Sequence, residues 1–412
     1  MKALVVERNV PRFAAARLAS AFGSGRGAGI GPLRLLDATP PPVPGEGWHH
    51  LRPLLSGICG SDLATLDGRS SRSFEDIVSF PFVPGHEVVG VLDDGGTDRA
   101  GRALAPGTRV VIEPVLGCVP RHIMPPCAAC GSGHTGLCAN VAFGRLAPGL
   151  QTGFCADTGG GWSTAGLVAH ASQIHPVPPS FTDEDAVMVE PTACAVHAAL
   201  AGQVAPGDVV AVIGAGALGL LTVSALGHLV RPGTRCTVVV GARHPHQRRT
   251  AEQLGADSVV DPDHLARAVR RSVGSLVLGG RLTGGADVVF DCVGSAESLS
   301  QALALVRPHG RVVMVGMPAK VDVDLAPLWQ REVALVGAYA YGIEQSPAPG
   351  GAERRTFDLA LELVEQAGLG RLVSATYPLD RYEEALAHAG AAGRRGAVRV
   401  AFDLRHPKGR TR

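Results

Sequence analysis

The chain has 412 residues, 46% of them hydrophobic, and a formal net charge of +1. That length is enough for two domains with substantial cores, and the near-zero charge gives no electrostatic basis for binding nucleic acid or an anionic membrane. No apolar run is long enough to span a bilayer, and the opening MKALVVERNV lacks the apolar core and cleavage site of a secretory leader, so a cytoplasmic location is expected. In that setting nine cysteines argue for metal binding or catalysis before disulfides.

Residues 1–185 are rich in glycine and proline, with short strand-like pieces at 3–6, 50–55, 88–92 and 109–112. This reads as a compact all-β domain. An Ala/Arg/Gly-rich insert at 10–32 holds a short helix at 12–22, and Pro40-Pro41-Pro42-Val43-Pro44 is a stiff extended connector. Both read as surface structure. Gly57-Ile58-Cys59-Gly60-Ser61-Asp62 then follows a strand, and Pro84-Gly85-His86-Glu87 opens another. A buried cysteine or a lone histidine is ordinarily a core residue. Together, a thiolate, an imidazole and one or two carboxylates make a zinc set with an open position.

Cys127-x2-Cys130-x7-Cys138 comes next, at a spacing that reads as a zinc loop. A structural zinc takes four protein ligands, and Cys118 is the nearest candidate for the fourth, with Cys155 the other. Around Val189-Glu190-Pro191-Thr192 a helix begins, with Glu190 at the cap and Pro191 in the first turn. Glu190 fits a metal ligand and equally a carboxylate favoured by the helix dipole; the residues alone leave both open.

The apolar run at 209–213 reads as a buried strand, broken by Gly214-Ala215-Gly216-Ala217-Leu218-Gly219 and resumed at helical length. A G-x-G-x-x-G pattern between strand and helix is a dinucleotide-binding turn, where backbone N–H groups at the helix start hold phosphates. Strand-like runs at 237–240, 258–260, 288–291 and 311–315 alternate with helical patterns, the rhythm of a doubly wound parallel sheet. The acid expected to grip a ribose 2′-OH after the second strand is missing. Gly241-Ala242-Arg243 stands there instead, with Arg248 in the same basic turn and no carboxylate before Glu252. This favours NADP over NAD, with Arg243 able to pair with a 2′-phosphate. Helices are expected at 356–366 and 380–389, a strand at 397–402 that rejoins the first domain, and a loose basic tail at 405–412.

GICGSD, PGHEVVG, the cysteine loop, the helix starting at Glu190-Pro191, IGAGALG and VVFDCVGS succeed one another in that order. In this the chain resembles, over nearly its whole length, the zinc-dependent medium-chain dehydrogenase/reductase family, the alcohol and polyol dehydrogenases. The resemblance implies an α/β plus β architecture: a GroES-like catalytic domain over 1–185, completed by 341–412. A Rossmann domain at 186–340 is inserted into it, with a cleft between the two. It further implies that Cys59 and His86 hold a catalytic zinc. Glu87 would bind the metal directly or in exchange with water, and Glu190 matches a position that is glutamate in sorbitol-dehydrogenase-like members. Asp62 would orient the histidine, Ser61 would take the substrate proton, and Thr192 would line the nicotinamide pocket.

The family's cysteine loop usually runs C-x2-C-x2-C-x7-C. Here its first position falls on Met124, so Cys118 is expected to replace it beside Cys127, Cys130 and Cys138. Ala64 stands where many members carry a relay histidine, so the proton leaves by water or another group. The Gly-Ala-Arg turn is similar to the Gly-Ser-Arg of NADP-using members. The expected activity is a reversible oxidation of an alcohol by a homodimer or homotetramer. A zinc-free enone or quinone reductase and a non-catalytic NADP-binding protein are the rival readings.

Overall fold

A computed structural model of the chain describes every residue except 231, 233, 346–351 and 406–412. It divides into two compact units, Met1–Glu190 with Gly368–Arg412, and Pro191–Ala367. The expected loose tail lies outside the described residues from 406 onward. Arg405 itself is tied down, with its guanidinium 2.7 Å from Asp403 and 3.1 Å from Glu184.

The first unit is built on a seven-stranded sheet. Its order runs Val373–Tyr377, Arg399–Asp403, Trp48–Gly57, Val88–Leu92, Thr108–Ile112 and Ile174–Pro176, with Leu167–His170 pairing the other end of Trp48–Gly57. The strand Val88–Leu92 is buried along its whole length, on both faces, which is why it reads as an apolar run. Two chain ends thus share one sheet: Phe402 pairs with Ser56, and Ser56 with Val88. The helix Gly60–Leu66 leaves the end of Trp48–Gly57 and is apolar on its buried side, at Leu63 and Leu66. The insert forms a helix at Val10–Ala19, begun by Asn9 as N-cap with Pro11 in the first turn, and continues as a 3-10 turn at Ser20–Phe22.

The second unit is a six-stranded, wholly parallel sheet. Its order is Ser258–Val260, Thr237–Gly241, Val209–Ile213, Ala286–Asp291, Val306–Met314 and Ala334–Gly337. Numbered within the unit this is 3-2-1-4-5-6, the Rossmann order, whose switch point lies between Val209–Ile213 and Ala286–Asp291. Ligands of such sheets bind at the carboxyl ends of the strands beside that point. The segment from 341 to 367, expected with the first unit, packs within the second. Tyr341 meets Phe357 edge-on at 4.9 Å, and Glu344 accepts a hydrogen bond from Thr356 at 2.7 Å. Phe357 is fully buried and anchors the helix Thr356–Ala367.

Candidate functional site

In the first unit, Cys59, His86 and Glu87 bring one ligand atom each within 4.8 Å of one another. The local chain explains the arrangement. Cys59 is the N-cap of the helix Gly60–Leu66, and its backbone N–H donates to Asp62 Oδ2 at 3.0 Å. That bond turns the other carboxylate oxygen of Asp62 toward His86 Nδ1, at 3.5 Å. Ser61 Oγ stands 3.5 Å from the opposite ring nitrogen, Nε2, so the imidazole has a carboxylate at one nitrogen and a hydroxyl at the other. Phe154 covers the ring, with centroids 5.7 Å apart.

Burial would push the Cys59 thiol up, but the hydrogen bond and charge of His86, with Arg399 nearby, bring it below its ordinary value. Burial would likewise lower His86, and Asp62 and Cys59 outweigh it, lifting the imidazole well above its usual range. A metal cation held here would take Cys59 as the thiolate and His86 as the neutral ring. Glu87 is engaged from another side, ion-paired with Arg399. Glu190 is buried in the first turn of the helix Val189–Ala201, which starts one residue before the expected cap. It is not part of the Cys59–His86–Glu87 group.

Cys118, Cys127, Cys130 and Cys138 form a second group, with their sulfurs all within 4.8 Å of one another. Sulfurs held tetrahedrally about 2.3 Å from one ion sit about 3.8 Å apart. Here Cys138 Sγ lies 3.6 Å from Cys118 Sγ and 4.0 Å from Cys127 Sγ. The loop also aims N–H groups at the sulfurs: Cys127 N and Asn140 Nδ2 at Cys118, and Asn140 N at Cys138, each at 3.3 Å. Such donors suit thiolates, and backbone bonds from Cys130 and Ala139 bring Cys127 down to about 6. Burial pushes Cys138 up to about 11 and raises Cys130 as well. Cys155 is not in the group; its thiol faces the carbonyl of Ala147 at 3.5 Å.

In the second unit the glycine turn divides its work among three residues. Gly214 takes φ +91°, which a side chain resists. A Cβ at Gly219 would collide with the Gly214 carbonyl, whereas one at Gly216 would meet nothing within 4 Å. That open ground lies at the N-cap of the helix Ala217–Ala225, where a phosphate would sit. Ala215, Ala217 and Leu218 complete the turn.

Arg243 follows Ala242 with its side chain exposed and pairs with no carboxylate among the described residues. Arg248 is committed elsewhere, with Nε bonded to the Ala242 carbonyl at 2.9 Å and the guanidinium 2.9 Å from Asp261. These bonds brace the turn around Ala242. Asp261 is an acid that a sequence scan stopping at Glu252 does not reach. Thr192 Oγ1 is buried and has no hydrogen-bond partner among the described residues.

Arg399 is the site residue that sequence reasoning missed. It faces Cys59, Asp62 and Glu87 from the far end of the chain, and only its pairing strand, far from any motif, points to it. Trp162 belongs to the core of the first unit. It is fully buried, donates Nε1–H to the Gly57 carbonyl at 3.1 Å and packs edge-on against Phe402.

The family model described as "Alcohol dehydrogenase GroES-like domain" matches residues 45–179, and that described as "Zinc-binding dehydrogenase" matches 217–366. A sorbitol dehydrogenase of Arabidopsis thaliana is 28% identical over 385 residues, covering 90% of this chain and 93% of its own. A Rhizobium meliloti protein carrying the provisional name D-xylulose reductase is 30% identical over 79% of this chain and 82% of its own. Among solved structures, a provisionally assigned zinc-binding dehydrogenase from Sinorhizobium meliloti 1021, bound to NADP, aligns with TM-score 0.67 and 26% identity over 92% of this chain and 98% of that one. The chain therefore belongs to the zinc-dependent medium-chain dehydrogenase/reductase family, and it is an NAD(P)-dependent alcohol or polyol dehydrogenase.

Proposed function

We propose that the protein reversibly oxidises a secondary alcohol of the polyol or sugar kind to the ketone, with NADP preferred to NAD. The observation that carries this reading is the group of Cys59, His86 and Glu87, with Asp62 and Ser61 at the two nitrogens of the imidazole. Zinc held by such donors supplies Lewis-acid polarisation of the substrate oxygen, and the nicotinamide carries the hydride. Cys59 and His86 are the donors common to both versions of the set. Glu87 is the third in this geometry, and Glu190 is the alternative that the family resemblance suggests. Asp62 fixes the ring orientation of His86. Ser61 accepts the substrate's proton, which its place beside Nε2 supports. With Ala64 in place of a relay histidine, that proton passes on to water.

The polyol reading rests on the names of the relatives, sorbitol dehydrogenase and D-xylulose reductase. The NADP preference rests on the exposed Arg243 and on the NADP bound to the Sinorhizobium relative. The open ground at Gly216 supports a pyrophosphate there, and the unpartnered hydroxyl of Thr192 supports a contact with the nicotinamide end. Cys118, Cys127, Cys130 and Cys138 hold a structural zinc in this reading.

A cytoplasmic location agrees with nine cysteines that are all free thiols. Among the described residues, no helix is long and apolar enough to cross a membrane. A homo-oligomer agrees with the second unit's last strand, Ala334–Gly337, ending the sheet unpaired on one side, and with Trp329 nearby at 71% exposure.

The test is a turnover screen of alcohols and polyols with NADP and NAD in parallel, alongside a metal count. Turnover of a polyol with NADP and about two zinc ions per chain is the expected result. A chain without zinc that reduces enones would replace this reading with the zinc-free one.

A further inference from the structure

Arg121 is among the most deeply buried side chains of the first unit, with no exposed surface. Its guanidinium donates to five backbone carbonyls: Leu116 at 3.0 Å, Phe143 at 3.0 Å, Leu146 at 3.1 Å, Ala147 at 3.3 Å and Gly149 at 2.6 Å. A guanidinium has five N–H donors in a rigid fork, and here every acceptor is main chain. No carboxylate among the described residues hydrogen-bonds to it, and the acidic groups nearest it are the Asp157 carboxylate and the thiols of Cys155, Cys138 and Cys118. A buried cation is costly unless its charge is answered. In this loop the answer comes from carbonyl dipoles.

The position of Arg121 in the chain gives the clamp its meaning. The loop departs from the family's spacing between Cys118 and Cys127, and Arg121 lies inside that departure. Its own N–H donates to the Cys118 carbonyl at 3.1 Å, as does that of Ile123 at 3.0 Å, and its carbonyl receives Arg145 N–H at 3.0 Å. The next residue, His122, sits at φ +54°. The side chain therefore ties Leu116, just before the first sulfur, to the returning segment 143–149, which lies beyond the last.

We infer that Arg121 is the positioning residue that lets Cys118 serve as the first sulfur of the loop, by holding both of its flanks in the metal-binding shape before an ion arrives. This rests on the reading that the four sulfurs hold zinc. Shaping a site in advance lowers what binding must spend on ordering the chain. Groups that orient ligands from behind typically change metal affinity about 10- to 100-fold when removed.

The experiment uses the full chain carrying Cys59→Ser, so that the loop is the one remaining zinc site. Zinc content and the rate of zinc release to a chromogenic chelator are compared for this parent, Arg121→Lys and Arg121→Gln, with far-ultraviolet circular dichroism as the check on folding. The expected result is about one zinc in the parent and release about ten-fold faster or more in both variants, because lysine keeps the charge but cannot fork to five carbonyls. Release unchanged in both overturns the inference, and so does a lysine variant that retains zinc like the parent, which would leave charge alone as the cause. A parent without zinc overturns the reading of the four sulfurs as well. Should the variants not fold, amide exchange in the unsubstituted chain decides. Arg145 and Gly149 amides stay protected after chelator strips the metal if the clamp holds, and losing that protection overturns it.

Discussion

Glu87 and Arg399 form an ion pair inside the first unit, with side chains 1% and 7% exposed. Burying both charges is tolerable only while each has the other. Arg399→Met strands the Glu87 carboxylate beside Cys59 and is expected to destabilise the first unit by about 3–5 kcal/mol. Adding Glu87→Gln to it should recover a large part of that loss. Urea unfolding of the single and double variants checks both statements, and equal stabilities for the two would refute them.

Cys59→Ser is expected to abolish turnover and remove one of about two zinc ions per chain, leaving the one at Cys118, Cys127, Cys130 and Cys138. Elemental analysis beside steady-state kinetics measures both. In the same assay, Glu87→Ala and Glu190→Ala separate the two glutamates, since the variant of a direct ligand loses zinc and the other keeps it.

Arg243→Ala is expected to raise KM for NADP about ten- to hundred-fold, the worth of one charge-assisted bond of roughly 1.5–3 kcal/mol. KM for NAD should hardly move. Arg248→Ala acts differently, because that guanidinium braces Ala242 and Asp261. Loss of this partly exposed pair should lower the melting temperature by about 2–4 °C.

His170 supplies a pH dependence. Burial, with the charges of His122 and His49, lowers its pKa from 6.5 to about 4. Its Nδ1 accepts the Ser172 N–H at 3.1 Å, which requires that nitrogen to be unprotonated. The folded chain thus holds a neutral ring while the unfolded chain takes up a proton below pH 6.5, so stability falls as pH drops from about 6.5 to about 4. Above pH 6.5 the residue contributes no slope. Melting temperatures across pH 4–7 should decline less steeply in His170→Gln.

Local signals carried most of the fold. The runs at 88–92, 209–213 and 258–260 coincide with observed strands, since unbroken β-branched stretches between turns leave few alternatives. The helix start at the glycine turn was equally readable, whereas the insert's helix, expected at 12–22, begins at Val10. Pairings between remote segments were not. The strand expected at 397–402 does rejoin the first unit, but nothing near Arg399 signals that it lies against Trp48–Gly57 and brings a cation to Glu87. Nothing near Asp261 signals that it meets Arg248, because the β-α-β connection that joins them is a tertiary matter. At the cysteine loop, spacing named three sulfurs. Nearness in the chain named Cys118 as the fourth, and it is the one grouped with them, while Cys155 lies apart against the Ala147 carbonyl.

Because Arg399–Asp403 is the strand beside Trp48–Gly57, the first unit cannot be finished until the ribosome has passed residue 403. At about 5–20 residues per second, Glu87 waits on the order of tens of seconds for its arginine, and one side of Trp48–Gly57 stays open meanwhile. The second unit is encoded without interruption and can close on itself as it emerges. Nascent chains stalled before residue 399 should therefore contain a protease-resistant Rossmann sheet beside a protease-sensitive amino-terminal half.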